Sequence, residues 1–168
     1  VVETEMESLL QLLKSINIKS QLIQHPEVFT VEAMMPYLSE CTGVVCKNLF
    51  VKDKKKKKLW LIVAQHDRKV NLSEVAKKLS VSGGFRFADE QVLIDTLGVS
   101  QGCVTPLAVH NDKEGAVQVI LDEILVSEPE TMIYCHPMVN TATIGITSAD
   151  FNRFLEHTKH KPLVVKFE

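Results

Sequence analysis

The segment from Cys135 to Ile144 carries a concentrated group of side chains that could take part in a reaction. It places a histidine, an amide and hydroxyls between two apolar runs, where a predicted strand breaks at a proline. Side chains at a strand end can form a site because a rigid scaffold holds their loop. His136 could act as a general base, since the unperturbed pKa of histidine is near ~6.5. Asn140 and Thr141 could hydrogen-bond a ligand, although all three residues could instead pack or shape a turn.

Lys47 lies in a predicted strand, Val44–Lys52, that is otherwise rich in apolar residues. Because side chains alternate between the two faces of a strand, Lys47 interrupts an apolar row. A lysine in such a row is costly unless it has a function or its ammonium reaches solvent. An edge-strand lysine that prevents sheet-to-sheet pairing is the other interpretation, and spacing alone favours it. Asn48 adds a hydrogen-bonding amide beside the lysine.

The segment Gly98–Pro106 contains two glycines and a proline within nine residues. A glycine lets the backbone approach a ligand closely, and backbone N–H groups there could face a carbonyl oxygen. An ordinary turn between a helix and a strand would explain the same residues. If the segment forms a site, its small side chains predict a small cavity lined by Gly102, Cys103, Val104, Thr105 and Pro106.

The four cysteines form no CxxC pair and have no zinc-finger spacing. We therefore expect reduced thiols, and we predict neither a metal site nor a cofactor. Cys135 or Cys103 could pair with His136 as a nucleophile, but no acid stands at a spacing that would orient the histidine. A Cys–His hydrolase remains an open alternative.

A run of lysines, Lys54–Lys58, occupies the predicted turn between two strands. The five residues of this basic run are Lys54, Lys55, Lys56, Lys57 and Lys58. They could form a solvated hairpin tip. They could also bind the backbone phosphates of a nucleic acid, with an affinity that falls steeply with salt.

The whole composition is that of an ordinary globular protein: 168 residues, 45% hydrophobic, 24% charged, with a net charge of −2. This length predicts one domain over residues 1–168. The charge excludes a global basic field, so any RNA contact must come from a local patch. No apolar run approaches the ~20 residues of a membrane span. We expect a cytoplasmic monomer that does not contact a membrane.

Apolar periodicity and turn residues predict more strands than helices, with hairpins between crossover helices. This arrangement indicates a mixed α/β fold, with helices packed on a mixed sheet. The predicted helices are 3–16, 30–39, 71–79, 89–97 and one that starts at 147–150. The predicted strands are 18–24, 44–52, 59–65, 85–87, 107–109, 116–122, 132–135, 143–146 and 163–167.

Three motifs, in this order, resemble one known family: Cys46-Lys47-Asn48-Leu49, a GxxxP loop at Gly102–Pro106, and HPxxNTAT at His136–Thr143. The segment His25–Glu32 is also similar to an early motif of that family. The family is that of the YbaK-type, or prolyl-tRNA synthetase-associated, editing domains, which hydrolyse mischarged aminoacyl-tRNA. HPxxNTAT resembles the branch often called ProXp-ala, which acts on tRNA(Pro) charged with alanine. The likeness extends from about His25 to Phe167.

The resemblance implies a mixed, barrel-like sheet flanked by helices and a hydrolytic site without a cofactor. Lys47 matches the family's catalytic lysine, which engages the 3′-terminal adenosine or its phosphate and helps to place the ester. The chemistry would rely on the substrate's own 2′-hydroxyl and a water more than on a histidine base. The implied partners are tRNA and prolyl-tRNA synthetase. The implied substrate-binding residues are Asn48, Gly102, Cys103, Val104, Thr105, Pro106, His136, Asn140 and Thr141.

Under a second hypothesis, the protein has this fold but no catalytic activity. In that case the protein is an idle module that binds the tRNA end or associates with a synthetase.

Overall fold

The computed structural model describes residues 2–167 and has a mixed α/β fold, as predicted. Its α-helices are α1 (Val2–Ser15), α2 (Val31–Met34), α3 (Leu72–Lys78), α4 (Glu90–Leu97) and α5 (Ser148–His157). Its strands are β1 (Gln21–Gln24), β2 (Val44–Asp53), β3 (Leu59–Gln65), β4 (Phe85–Phe87), β5 (Val117–Asp122), β6 (Met132–Cys135), β7 (Ala142–Thr147) and β8 (Leu163–Val165). Three 3₁₀ helices cover Met35–Leu38, Pro106–Asn111 and Glu123–Leu125.

The eight strands form one sheet in the order β1-β7-β6-β2-β3-β5-β8, and β4 pairs with β2. The β3–β5, β5–β8 and β2–β6 pairs are parallel, and the others are antiparallel. Both faces of the sheet are buried, because alternate residues of β3 belong to two different clusters of buried hydrophobic residues. One cluster joins the sheet to α1, α4 and α5, and the other joins it to α3. This accounts for the nearly continuous apolar sequence of the central strands.

Two helices are capped by the first residue of the range predicted for them, Thr30 and Asn71. The Thr30 hydroxyl accepts a hydrogen bond from the Ala33 N–H at 3.0 Å, and the Asn71 side chain accepts one from the Glu74 N–H at 3.2 Å. Each cap satisfies a backbone donor that the first helical turn leaves unpaired. Pro36 ends α2 early, and the chain continues as the 3₁₀ helix Met35–Leu38. The predicted helix 30–39 is therefore two short pieces.

The predicted strand Leu107–Val109 is wrong, because these residues belong to the 3₁₀ helix Pro106–Asn111. Thr105 caps this helix by accepting a hydrogen bond from the Leu107 N–H at 3.3 Å, and Pro106 suits its first turn. Leu107 and Val109 are completely buried. A short run that is buried on all sides has no periodicity that separates helix from strand.

The neighbours of β2 change along its length. On one side β2 pairs with β3 from Cys46 to Lys52. On the other side it pairs with β6 at Val44 and Val45, and then with β4 at 51–53. Within the described residues, no strand pairs with that second side over 46–50. The resulting gap between β2 and the end of β6 gives side chains of β2 room to meet a ligand.

Candidate active site

A cavity of about 230 Å³ lies at the gap between β2 and the end of β6. Its walls are the start of α2, the middle of β2, the loop before Pro106 and the residues that end β6. Asn48 and Lys47 project from opposite faces of β2, as neighbours in a strand must. Both can line one cavity because no strand fills the gap between them. The predicted residues that line it are Lys47, Asn48, Gly102, Val104 and His136.

Five other predicted residues do not line this cavity. Cys103 and Thr105 are buried in the loop. Thr105 caps the following 3₁₀ helix, and Pro106 is the first residue of that helix. The carbonyl groups of Asn140 and Thr141 accept hydrogen bonds from the N–H groups of Val28 and His25, at 3.1 and 3.0 Å. These bonds hold the chain before α2 against the HPxxNTAT loop. Direct contact of the five residues with a substrate stays a prediction.

Lys47 is half-buried, and its ammonium donates a hydrogen bond to the backbone carbonyl of Arg68. A lysine ammonium has three N–H donors. The bond to Arg68 therefore fixes the side chain and leaves two donors for a ligand in the cavity. This contact explains how a charged side chain occupies the row shared by Val45, Leu49 and Val51.

Asn48 joins β2 to the loop before Pro106. Its Nδ2 donates a hydrogen bond to the Val104 carbonyl at 3.1 Å, which also determines which way the amide is oriented. Its Oδ1 is buried and has no hydrogen-bond partner among the described residues. A buried acceptor without a donor is costly. A hydroxyl or ammonium group of a bound ligand could satisfy it.

His136 is held as a neutral ring. Its Nδ1 lies 3.1 Å from the Ala142 carbonyl, which can only accept, so Nδ1 carries the hydrogen. Burial lowers the pKa of His136, while the Ala142 bond opposes that shift and the nearby His25 adds to it. The neutral ring leaves Nε2 with a lone pair and no proton. His136 therefore offers the cavity a polar wall rather than a positive charge.

The thiols next to the cavity are not activated. Burial raises the pKa of Cys135 to about 12, and it also raises the pKa of Cys46 and of Cys103. A cysteine nucleophile needs the opposite shift, because the thiolate is the reactive form. The burial of these thiols and their raised pKa values thus weigh against the Cys–His alternative.

Residues 25–154 match the family described as the aminoacyl-tRNA editing domain. This chain belongs to that family. The resemblance read from the Lys47, GxxxP and HPxxNTAT motifs is therefore confirmed.

Two relatives agree with this assignment, and one solved structure has a similar fold. The editing domain is 49% identical over 158 residues to prolyl-tRNA synthetase associated domain-containing protein 1 of Danio rerio, covering 94% of this chain and 85% of that protein. It is 32% identical over 144 residues to prolyl-tRNA editing protein ProX of Acetoanaerobium sticklandii, covering 86% of each. A structure solved for a candidate trans-editing enzyme for prolyl tRNA synthetase has a TM-score of 0.68 at 15% identity, covering 98% of this chain and 96% of that one. At that identity the likeness shows the fold alone.

The sequence reasoning did not assign several residues of the editing domain that line the cavity. Phe29 is 71% exposed at its rim, and it lies close to Gly102, where an added Cβ would be 3.6 Å from its ring. The similarity of His25–Glu32 to a family motif was a signal that this segment belongs to the site. The further lining residues are Thr30, Val31, Met34, Cys46, Gln101 and Cys135.

The lysines of the basic run are all exposed at the β2–β3 hairpin tip. Asp53 shapes the tip by accepting hydrogen bonds from the N–H groups of Lys55 and Lys56, at 2.7 and 2.8 Å. Lys54 comes directly after the end of β2, seven residues beyond Lys47, which at ~3.3 Å per residue is roughly 20–25 Å. The run is therefore too far away to touch a ligand in the cavity.

The lowered pKa of His136 predicts that the editing domain loses stability in mild acid. The unfolded chain has a histidine pKa near ~6.5, so below that pH the unfolded state binds more protons than the folded state. The free energy of unfolding should fall as pH drops from 7.5 through ~6.5, and His136→Gln should reduce this loss. Urea unfolding at pH 7.5 and 5.5 measures it, with His157→Gln at an exposed histidine as the control. An unchanged pH dependence in His136→Gln would contradict the assignment of a neutral, buried ring.

Proposed function

We propose that this protein is a trans-editing deacylase that hydrolyses the ester between a wrong amino acid and the 3′ end of tRNA. The observation that carries the proposal is the convergence of Lys47, Asn48 and His136 on one small cavity within an editing domain. The ester is already activated, so positioning and stabilisation of the oxyanion can suffice without a strong base. Water attacks the carbonyl carbon, the bond to the ribose oxygen breaks, and that oxygen takes up a proton.

In this mechanism each residue has a separate role. The two free N–H donors of Lys47 bind the terminal phosphate or the ester carbonyl. Asn48 Oδ1 accepts a hydrogen bond from a hydroxyl of the terminal ribose or from the amino group of the substrate. Gly102 lets the backbone approach the amino acid, and His136 closes the opposite wall with a neutral ring.

The proposed substrate is Ala-tRNA(Pro). The names of both relatives refer to prolyl-tRNA or its synthetase, which supports tRNA(Pro) as the partner. The chemistry provides a need for such an enzyme, because a pocket rejects a smaller amino acid by only ~1–3 kcal/mol per missing methylene. A second, hydrolytic site is then required. Contact with prolyl-tRNA synthetase is a further part of the proposal.

Deacylation of Ala-tRNA(Pro) by the purified protein tests the proposal directly. We expect loss of the aminoacyl ester well above the spontaneous rate in a reaction without protein. Binding of the charged tRNA without faster hydrolysis would instead favour the idle tRNA-end-binding module.

We also propose that no metal, cofactor or cysteine takes part in hydrolysis. Within residues 2–167, no group of three or more His, Cys, Asp or Glu side chains could hold a metal ion. Activity should persist in EDTA, and Cys103→Ser and Cys135→Ser should each keep at least about a third of the wild-type rate, because both thiols have raised pKa values. Initial rates of deacylation measure both effects. Complete inactivation by EDTA, or by a Cys→Ser change in a folded protein, would overturn this proposal.

The basic run Lys54–Lys58 is proposed to contact backbone phosphates away from the 3′ end. Changing Lys54, Lys56 and Lys57 to serine should raise KM several-fold and weaken its dependence on salt. Lys55 and Lys58 are left unchanged because both make contacts within the protein. The Lys55 ammonium donates a hydrogen bond to the Ser82 hydroxyl, and the Nζ of Lys58 lies 5.3 Å from the Trp60 ring centroid. An unchanged salt dependence would leave the run with a role in solubility alone.

We propose a cytoplasmic monomer, in keeping with the four free cysteines. None of the described helices is long and apolar enough to cross a membrane.

A further inference from the structure

The turn after β3 is held in place from three directions. The Gln65 N–H donates to Asp122 Oδ2 at 3.1 Å, and Arg68 Nε donates to the same oxygen at 2.9 Å. The His66 N–H donates to the Val45 carbonyl at 2.8 Å. The Arg68 N–H donates to the Gln65 carbonyl at 3.0 Å, which closes the turn. These four hydrogen bonds, two of them to one buried carboxylate oxygen, hold the backbone of the turn in place.

Asp122 is a buried charge with two separate tasks. It ends β5 with 0% of its surface exposed, and its Oδ1 caps the 3₁₀ helix Glu123–Leu125 through the Ile124 N–H at 3.3 Å. An amide could provide that cap equally well. The second task, the binding of Gln65 and Arg68 through Oδ2, needs the negative charge more, because Arg68 is a cation. Burying a charge is expensive unless it is paired, and Arg68 is its ionic partner.

The turn leads directly to the cavity, because the Arg68 carbonyl is the group that accepts the hydrogen bond of Lys47. A lysine side chain has four flexible bonds and a compact charge, so its ammonium is placed only where something holds it. Neither Arg68 nor Asp122 lines the cavity. Their connection to the site therefore passes through Lys47.

We propose that Asp122 and Arg68 are positioning residues that hold the Lys47 ammonium at the reactive ester. The proposal rests on the proposed function, since it assigns Lys47 to the reaction. Asp122 fixes Arg68, the turn aims the Arg68 carbonyl, and that carbonyl directs the remaining N–H donors of Lys47 into the cavity.

Arg68→Met is the first variant to make, because its side chain is 34% exposed and methionine keeps an unbranched stem. Misplacing a catalytic group by about an ångström can cost up to ~100-fold in rate. We expect kcat for Ala-tRNA(Pro) to fall between about 10-fold and 100-fold with KM changed less than about twofold. Arg68→Lys, which keeps a cation near Asp122, should recover part of kcat. Asp122→Asn, which keeps the cap, should resemble Arg68→Met.

The matched control is Arg153→Met. Arg153 also binds a carboxylate, that of Asp150 at 2.9 Å, and it donates to the Ile16 and Asn17 carbonyls, but it has no path to Lys47. It should keep at least about half of kcat even if its thermal unfolding temperature falls as much as that of Arg68→Met.

A double-mutant cycle separates positioning from a general loss of structure. In a Lys47→Ala background, measured under single-turnover conditions with excess protein, Arg68→Met should cause no further loss. Wild-type kcat in a folded Arg68→Met protein, or an equal loss with and without Lys47, overturns the positioning role while leaving deacylation established. A wild-type protein that does not accelerate hydrolysis overturns the proposed function and this inference with it.

Discussion

Lys47→Ala is expected to lower the single-turnover rate of Ala-tRNA(Pro) deacylation by at least about 100-fold, the scale of losing one donor to a developing oxyanion. Lys47 is the cationic side chain that lines the cavity, and two of its N–H groups remain free for the substrate. The fold should survive, because the change leaves only the Arg68 carbonyl unpaired, a cost of roughly 1–3 kcal/mol.

Lys52→Ala is the control for this prediction. Lys52 is half-buried on the same strand, five residues further from the cavity, so its loss tests the general effect of removing a lysine from β2. Thermal unfolding of both variants must show a cooperative transition. A folded Lys47→Ala protein that hydrolyses Ala-tRNA(Pro) at the wild-type rate would remove Lys47 from the reaction.

The residues of β2 show what could be predicted from the sequence. Alternation of side chains along a strand is a local property, so the unusual position of Lys47 was visible without a structure. Its partner was not visible, because the Arg68 carbonyl comes from a turn whose position depends on Asp122, more than fifty residues later. The gap between β2 and β6 also depends on a register between strands about ninety residues apart.

The HPxxNTAT loop and the Gly98–Pro106 loop show what could not be predicted from the sequence. His136 of the HPxxNTAT segment lines the cavity. Asn140 and Thr141 are held there through their backbone carbonyls, a use that no side-chain pattern can reveal. Thr105 shows the same limit, because its hydroxyl caps a 3₁₀ helix that the sequence presented as a strand. Loop residues are thus easy to recognise as a group and hard to orient one by one.

Selection by size is the second large effect that we expect. In the proposed function, the cavity of about 230 Å³ receives the ribose end and the ester as well as the amino acid. We therefore expect Gly102, Val104 and His136 to leave space for a methyl group but not for a pyrrolidine ring. Overpacking a rigid pocket costs ~1–3 kcal/mol, and a displaced ester also loses its alignment with Lys47. Ala-tRNA(Pro) should be hydrolysed at least about 10-fold faster than Pro-tRNA(Pro), with glycyl and seryl forms cleaved weakly.

Val104→Ala tests whether the side chain of Val104 limits the size of the amino acid that the cavity accepts. The change removes two methyl groups from the cavity and keeps the bond from Asn48, because Asn48 binds the backbone carbonyl of Val104. The rate on Pro-tRNA(Pro) should rise relative to the rate on Ala-tRNA(Pro), and His136→Ala should act in the same direction. Val99→Ala is the control, since Val99 is a core residue of the same segment that does not line the cavity. Side-by-side deacylation of the two charged tRNAs decides the matter: equal wild-type rates would mean that the pocket does not select by size, and the proposed editing of Ala-tRNA(Pro) would have to be abandoned.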